Sequence, residues 1–384
     1  MADPYEWLAD DLKTLHRAGW YRSTRVSDGL AGPTMIVEGK AVVQFASNNY
    51  LGLCGDPRLG SAAQNAIARW GTGATGSRLL SGERPVHRDL EKALAGWKGT
   101  EDCLLFSSGY LANLGTIQAL VGPKDLVLSD EYNHSSLRSG AELSGATQHF
   151  FAHNDMEALA NLLEKERNRY RRCLVCVDSI FSMDGDLAPL PEIMKLAEQY
   201  ECMVVVDEAH GTGVLGASGA GSLEHFNLKV PIIEIGTLSK ALGSLGGYVC
   251  GNSTLIDYLR NRARTWIYTT GLSPGDAAAA LEGVRLAQSE LGRRSQLWEN
   301  IAQLSEGLQH IGIAVFPSDS AILCGQVGNI AATCAFSEKL FEQGFYAPAI
   351  RPPTVPTSRI RFSVMATHTQ EMISKLLLAC QQIC

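Results

Sequence analysis

The sequence predicts an α/β fold with a mostly parallel sheet and helices on both faces. Three observations support this. From about residue 100, short apolar runs rich in Val, Leu, Ile and Cys alternate with helical patterns. The runs are four to seven residues long, as buried strands require. Ser182, Asp207, His210 and Lys240 sit at or just past the ends of such runs, and His134 just past the run ending near Ser129. Such positions bind ligands when they gather at the C-terminal edge of a parallel sheet.

The elements follow in order. Residues 4–18 read as an amphipathic helix ended by Gly19, and 34–46 as a strand pair turning at Glu38-Gly39-Lys40. Asp56-Pro57 supplies an N-cap and a first-turn proline for a helix to about Trp70. The seven strand candidates are 103–107, 125–129, 148–152, 173–178, 202–207, 231–236 and 247–251, with helices such as 156–167 and 189–199 between them. Long helices over 273–291 and on to His310 precede a change of pattern. Strands near 313–316, 320–325 and 359–364, with helices near 330–343 and 369–382, predict a smaller α+β domain. The expected division is an N-terminal segment 1–50, a large domain 51–285 and a C-terminal domain 286–384.

Composition narrows the function. A net charge of −7 gives no basic field to draw the chain to nucleic acid or an anionic membrane. No apolar run approaches the roughly 20 residues of a membrane span. The polar, acidic N-terminus lacks the basic and apolar regions of a signal peptide, so the expected location is cytoplasmic. Most of the ten cysteines lie in apolar runs and read as reduced and buried. Cys173 and Cys176 match a CxxC spacing but on a strand face opposite sides, and no second pair completes a metal set.

Lys240, in Gly236-Thr237-Leu238-Ser239-Lys240, and Asp207, closing the apolar run Val204-Val205-Val206, look like two halves of a pyridoxal phosphate (PLP) site. An aldehyde cofactor needs an amine to hold it as a Schiff base, and its pyridine nitrogen needs an acid to stay protonated. Ser107-Ser108-Gly109-Tyr110 opens a helix whose free N–H groups can cradle a phosphate, with Tyr110 beside the ligand and Thr237 as a further phosphate contact. His134, on the loop Asn133-His134-Ser135-Ser136, can stack on the ring. Ser182 and His210 can reach the phenolic oxygen. Arg361 shares a strand face with Arg359; Arg361, in an apolar setting, suits a substrate carboxylate, whereas Arg359 reads as a surface residue. Gly71-Thr72-Gly73-Ala74-Thr75-Gly76 fits GxGxxG but follows a helix, so it reads as a ligand- or partner-facing loop rather than a dinucleotide fingerprint.

With these residues in view, the chain resembles the α-oxoamine synthases, a group of fold type I, aspartate-aminotransferase-like PLP-dependent transferases. The resemblance runs from Phe45-Ala46-Ser47-Asn48-Asn49-Tyr50 to Thr367-His368-Thr369. Its distinctive parts are the 73–82 loop, Asn133-His134-Ser135-Ser136, Phe181-Ser182-Met183-Asp184-Gly185, Asp207-Glu208-Ala209-His210-Gly211 and Thr237-Leu238-Ser239-Lys240. Asn49 stands where many relatives have aspartate, and Ser135 where alanine is common.

The resemblance implies a seven-stranded large domain, PLP held by Lys240, Asp207 on the ring nitrogen, and His134 stacked on the ring. It also implies cofactor contacts from Gly109, Tyr110, Ser182, His210 and Thr237, a carboxylate site at Arg361, acyl contacts from Arg22 and Thr354, no metal, and a homodimer. The dimer would bring the 73–82 loop and Tyr268-Thr269-Thr270 toward a neighbouring site. Within the family, Ile350-Arg351-Pro352-Pro353-Thr354-Val355-Pro356 looks most like the branch that joins L-alanine to a pimeloyl thioester, of coenzyme A or acyl-carrier protein, on the way to biotin. Sister enzymes take glycine or serine with other acyl groups. A silent partner subunit is a further reading, against which stand Lys240, Asp207 and His134.

Overall fold

The computed structural model describes residues 3–384. Its centre is a seven-stranded sheet in the order Asp102–Phe106, Gly247–Gly251, Ile233–Thr237, Met203–Asp207, Cys173–Asp178, Leu126–Asp130, Thr147–Phe151. Neighbours pair in parallel from Ile233–Thr237 to Thr147–Phe151. Gly247–Gly251 runs antiparallel to both its neighbours. Six strands therefore point one way, and all seven expected strands form within a residue or two of their sequence positions.

Alternation along each strand feeds two cores. Val205, Leu174 and Cys176 face helices carrying Ala112, Ile117 and Leu137. Val204, Val206 and Cys173 face helices carrying Leu159, Leu163 and Ile193. Cys173 and Cys176 thus lie on opposite faces, as the strand period requires. All ten cysteines are free.

Asp56 caps the helix Pro57–Trp70 as expected, its side chain accepting from the Arg58 N–H at 3.0 Å. A third core region joins that helix, Pro85–Lys98 and Pro274–Ser289 to the C-terminal elements. Two small sheets flank the large one. Ala314–Val315, Ile322–Gln326, Arg359–Ser363 and Ala349–Ile350 form an antiparallel sheet. Ser27–Asp28, Thr34–Val37 and Lys40–Gln44 form another, closed by the parallel strand Phe345–Tyr346. That last pairing links the N-terminal strands to the C-terminal part of the chain, and a two-residue strand leaves no periodicity to read. Among the described residues no helix is long and apolar enough to cross a membrane.

The antiparallel strand matters to the site because it starts at the edge where the others end. Gly247 lies level with Phe106 and Thr237. A Cβ on Gly247 would stand 2.4 Å from the Gly109 nitrogen. The first turn of Gly109–Leu120 is therefore packed on bare backbone. Gly247→Ala should push that turn off the sheet and cost roughly 1–3 kcal/mol, read as a lower denaturant midpoint at unchanged m-value.

Candidate active site

Six loops leave the C-terminal edge of the sheet, and five carry residues singled out from the sequence. Ser108, Gly109 and Tyr110 follow Phe106; His134 follows Asp130; Ser182 follows Asp178; His210 follows Asp207; Lys240 follows Thr237. All of these, with Asp207 and Thr237, line one cavity of about 190 Å³. A larger cavity of about 480 Å³ shares His134 and Ser182 with it and reaches Pro353, Thr354, Val355 and Pro356.

Asp207 is buried and held at both oxygens. Oδ2 accepts from Asn113 Nδ2 at 2.6 Å, and Oδ1 accepts from the Ala209 N–H at 2.8 Å. Asp178 lies beside it in register on the next strand and accepts the His134 N–H at 2.6 Å. Burial, then the Asp207 charge, push the Asp178 carboxyl well above the usual carboxylate range. No carboxylate lies within ion-pair distance of the Lys240 amine among the described residues. Its pKa is lowered by burial, with Asp207 and Asp178 opposing and Arg361 adding to the fall. An amine so placed is a poor ammonium and a better nucleophile.

His134 caps the helix Ser135–Ser144 through Nδ1, which lies 2.7 Å from Ser136 Oγ. Its pKa falls chiefly through burial and also through Lys240. His210 is lowered well below the imidazole range, by burial first and then by Lys240 and Arg361. Its Nδ1 is 2.6 Å from the Tyr50 hydroxyl, which burial pushes up to about 12. Tyr50 reaches Asn48 Oδ1 at 3.1 Å, and the same oxygen accepts from Arg361 Nη2 at 3.1 Å.

Arg361 is buried, donating also to the Ser182 carbonyl at 2.8 Å and to Ser363 Oγ at 2.8 Å. It has no carboxylate partner among the described residues. Arg359 corrects the surface reading. It is only 2% exposed, pairs with Asp184 and lies 4.4 Å over the Phe316 ring. Strand period put both arginines on one face; the 181–186 loop folding over that face buries both.

Thr354 borders the larger cavity, whereas Arg22 is exposed and lines neither. Its segment is tied to the 350–356 run only through Arg351 Nη2, which donates to the Tyr21 carbonyl at 3.2 Å. Sequence reasoning missed Asn113, Ser136, Asp178, Asn48 and Tyr50 as site members. Each lies inside or beside a motif it had marked, but a side chain that holds another side chain leaves no spacing signal.

Comparison with known proteins finds relatives along the whole chain. The profile of the class I and II aminotransferases matches residues 40–379. A Gloeobacter violaceus protein provisionally named 8-amino-7-oxononanoate synthase is 63% identical over 383 residues, covering 100% of this chain and 99% of that protein. An Acaryochloris marina protein with the same provisional name is 55% identical, covering 99% of this chain and 98% of that protein. Sphingomonas wittichii serine palmitoyltransferase superposes with a TM-score of 0.93 at 31% identity, covering 100% of this chain and 98% of that one. A serine palmitoyltransferase solved with its PLP internal aldimine gives the same values. An 8-amino-7-oxononanoate synthase from Francisella tularensis gives 0.76 at 27% identity over 89% of this chain and 97% of that one.

The chain belongs to the class I and II aminotransferases, the fold type I enzymes that depend on PLP, and within them to the α-oxoamine synthases.

The residues present fit that cofactor. A lysine without a carboxylate partner shares a cavity with a buried aspartate. At Gly109 a Cβ would lie 3.2 Å from Thr237 Cβ, a tight contact, so glycine lets the helix start lie close against Thr237, which lines the same cavity. Because Asp178 is held toward its protonated form, Asp178→Asn in the cofactor-free protein should keep stability within about 1 kcal/mol of wild type. Asp178→Ala, which strands the His134 N–H, should lose roughly 1–3 kcal/mol in a urea melt.

Proposed function

We propose that this protein is an acyltransferase of the 8-amino-7-oxononanoate synthase type. It would condense L-alanine with a pimeloyl thioester, of coenzyme A or acyl-carrier protein, to 8-amino-7-oxononanoate, CO2 and the free thiol, as a step of biotin synthesis. The observation that carries this is that two cavities share His134 and Ser182 in their walls, one lined also by Lys240 and Asp207 and the other by Thr354 and its neighbours. Identity of 63% to a protein of that provisional name supports the choice of substrates.

Bound PLP supplies an electron sink for charge developing at the amino acid's α-carbon. Lys240 would hold the aldehyde at rest, and its amine, whose pKa burial lowers, would take and return the α-proton. Asp207, locked by Asn113 and the Ala209 N–H, would keep the ring nitrogen protonated. The first turn at Ser108, Gly109 and Tyr110, with Thr237, would bind the phosphate.

Neutral His134 would lie against the ring face without adding charge. Ser182 and His210 would contact the phenolic oxygen, and the Tyr50 hydroxyl would set the His210 ring. Arg361 would grip the substrate carboxylate in a two-point fork, and the Asn48–Tyr50 chain would tie that grip to His210. The Cα–H bond would thereby be held in one direction, a positioning effect that contributes to the rate. Thr354 would meet the acyl chain. Arg22 lies outside both cavities of its own chain and would contribute only with movement of its segment or from a neighbour.

A homodimer belongs to the same proposal. Leu79 and Leu80 are 56% and 86% exposed on the 73–82 loop, and Tyr268 is 77% exposed nearby. Large apolar side chains displayed together suit a partner surface.

The serine palmitoyltransferase structures favour a second reading, serine with a longer acyl group. Their TM-score of 0.93 exceeds the 0.76 of the Francisella enzyme. Backbone likeness reports the fold, however, and one fold hosts several substrates.

The deciding experiment pairs alanine, glycine or serine with pimeloyl-, succinyl-, acetyl- or palmitoyl-CoA and follows thiol release and product mass. Alanine with pimeloyl-CoA should give the highest kcat/KM; failure of that pair alone would remove the assignment and leave the family. Lys240→Ala should lose covalent retention of the cofactor on borohydride reduction, and turnover by at least about 10³-fold. Arg361→Lys should raise KM for the amino acid about tenfold or more with little change in KM for the thioester, since a point charge cannot reproduce the fork.

A further inference from the structure

The sixth loop at the C-terminal edge follows the strand Thr147–Phe151 and carries His153, which touches neither cavity. Its ring is held from both ends. Nδ1 lies 3.0 Å from Asp130 Oδ1, at the end of the strand that leads to His134. Nε2 lies 2.8 Å from Asp186 Oδ2, at the end of the loop that contains Ser182. Tyr132 stacks on one face with centroids 4.3 Å apart, and Phe181 meets the ring edge-on at 4.4 Å. The His153 N–H donates to Glu131 Oε1 at 3.1 Å. Asn154 ties the same two loops, its N–H to Asp130 Oδ2 at 2.8 Å and its Nδ2 to Asp186 Oδ2 at 2.8 Å.

We propose that His153 is a positioning residue: gripped between Asp130 and Asp186, it locks the loop carrying His134 to the loop carrying Ser182, and so sets the spacing of the two side chains that border both cavities.

The rest of each loop transmits the lock. The 181–186 loop is a closed turn, with the Phe181 N–H donating to the Asp186 carbonyl at 3.0 Å and the Gly185 N–H to the Phe181 carbonyl at 2.8 Å. Asp186 therefore cannot shift without Ser182. On the other side, the Tyr132 N–H donates to Asp130 Oδ1 at 2.8 Å, and Asn133 Nδ2 to the Cys176 carbonyl at 2.7 Å. Displacement at Asp130 is thus carried along a short, pinned segment to His134. Without a cation between them, Asp130 and Asp186 would face each other as like charges.

Asp130, Glu131, Asp186 and the Tyr132 hydroxyl are the titratable groups facing His153 from the packed elements. Burial alone would lower the imidazole, but its hydrogen bonds to Asp130 and Asp186, and their charges, outweigh this and raise it from 6.5 to about 9. The folded value lies above the unfolded one. The lock is therefore complete below about pH 6.5 and loses one of its two ring hydrogen bonds, and the cation between the two acids, as pH rises through about 9.

The test uses the holoenzyme. Histidine-labelled protein gives the His153 titration by NMR, and the rate of the absorbance change on adding L-alanine, glycine or L-serine gives a site readout that needs no acyl donor. In wild type both should show a midpoint near 9. His153→Gln should slow the absorbance change roughly tenfold and erase its alkaline limb. Asp186→Asn should move the NMR midpoint and the limb together to lower pH, an effect that a merely structural role would not produce. If His153→Gln fails to fold, the Asp186→Asn pair of measurements decides alone. A limb that stays while the NMR midpoint moves overturns the proposal. So does wild-type rate and pH dependence in His153→Gln, or a wild-type His153 that titrates near 6.5. A response to glycine or serine but not alanine would instead count against the substrate assignment and leave the lock intact.

Discussion

Two carboxyl groups end adjacent parallel strands side by side, Asp178 and Asp207, buried at the same level of the sheet. Two charges so close in a low-dielectric interior cannot both persist without compensation. The fold resolves the conflict by unequal treatment. Asp207 receives Asn113 and the Ala209 N–H, both donors, and faces the cavity. Asp178 receives the His134 N–H and is driven toward its neutral form. One acid faces the cavity with both oxygens held by donors, while its neighbour becomes a structural anchor for the histidine loop. The placement of Lys240, depressed by burial but within reach of both acids' fields, follows from the same arrangement.

The edge is stiffened from below by a second charged layer. Glu208, the residue after Asp207, points away from the cavity and accepts from Ser179 Oγ at 3.1 Å and the Ser222 N–H at 2.9 Å. The Ser179 N–H in turn donates to the Asp207 carbonyl at 2.9 Å. Lys98 lies 3.2 Å from Glu234 in the same layer, and its own pKa is held up by the charges around it after burial has pulled it down. Removing one partner of such a buried pair would strand the other, so these residues fix strand ends rather than add net stability. That is the property a site built on strand termini needs: its side chains inherit their positions from backbone that cannot relax.

Much of this was legible in the sequence, for reasons that differ by residue. Strands were visible because a buried parallel strand is a short apolar run, and 173–178 was placed to the residue. Lys240, Asp207, His134, Ser182 and His210 were visible because strand ends collect at one edge, so a polar residue after each apolar run marks a common location. Asn113 was hidden although its motif was marked: on an apolar helix face, an asparagine that reaches a distant aspartate reads like any buried polar residue. Arg359 was misread because strand period gives the face but not what covers it. The two-residue strand Phe345–Tyr346, which joins the ends of the chain, falls below any periodic signal.

The two buried arginines then separate into different tasks by their partners alone. Arg359 meets a carboxylate, Asp184, and an aromatic face, so its charge is spent within the protein. Arg361, two residues on and facing the same way, is offered only neutral acceptors: the Ser182 carbonyl, Ser363 Oγ and Asn48 Oδ1. Neutral acceptors orient a guanidinium without neutralising it, so its field remains available to an incoming anion. Burial of an uncompensated cation is costly, and that cost would be offset if a carboxylate reached Arg361, which itself lines neither cavity. The same cation helps to hold Lys240 and His210 toward their neutral forms. An amino acid bound there would weaken that influence just as its own α-proton comes within reach. On the proposed roles, carboxylate recognition and the basicity of Lys240 would be coupled through one side chain.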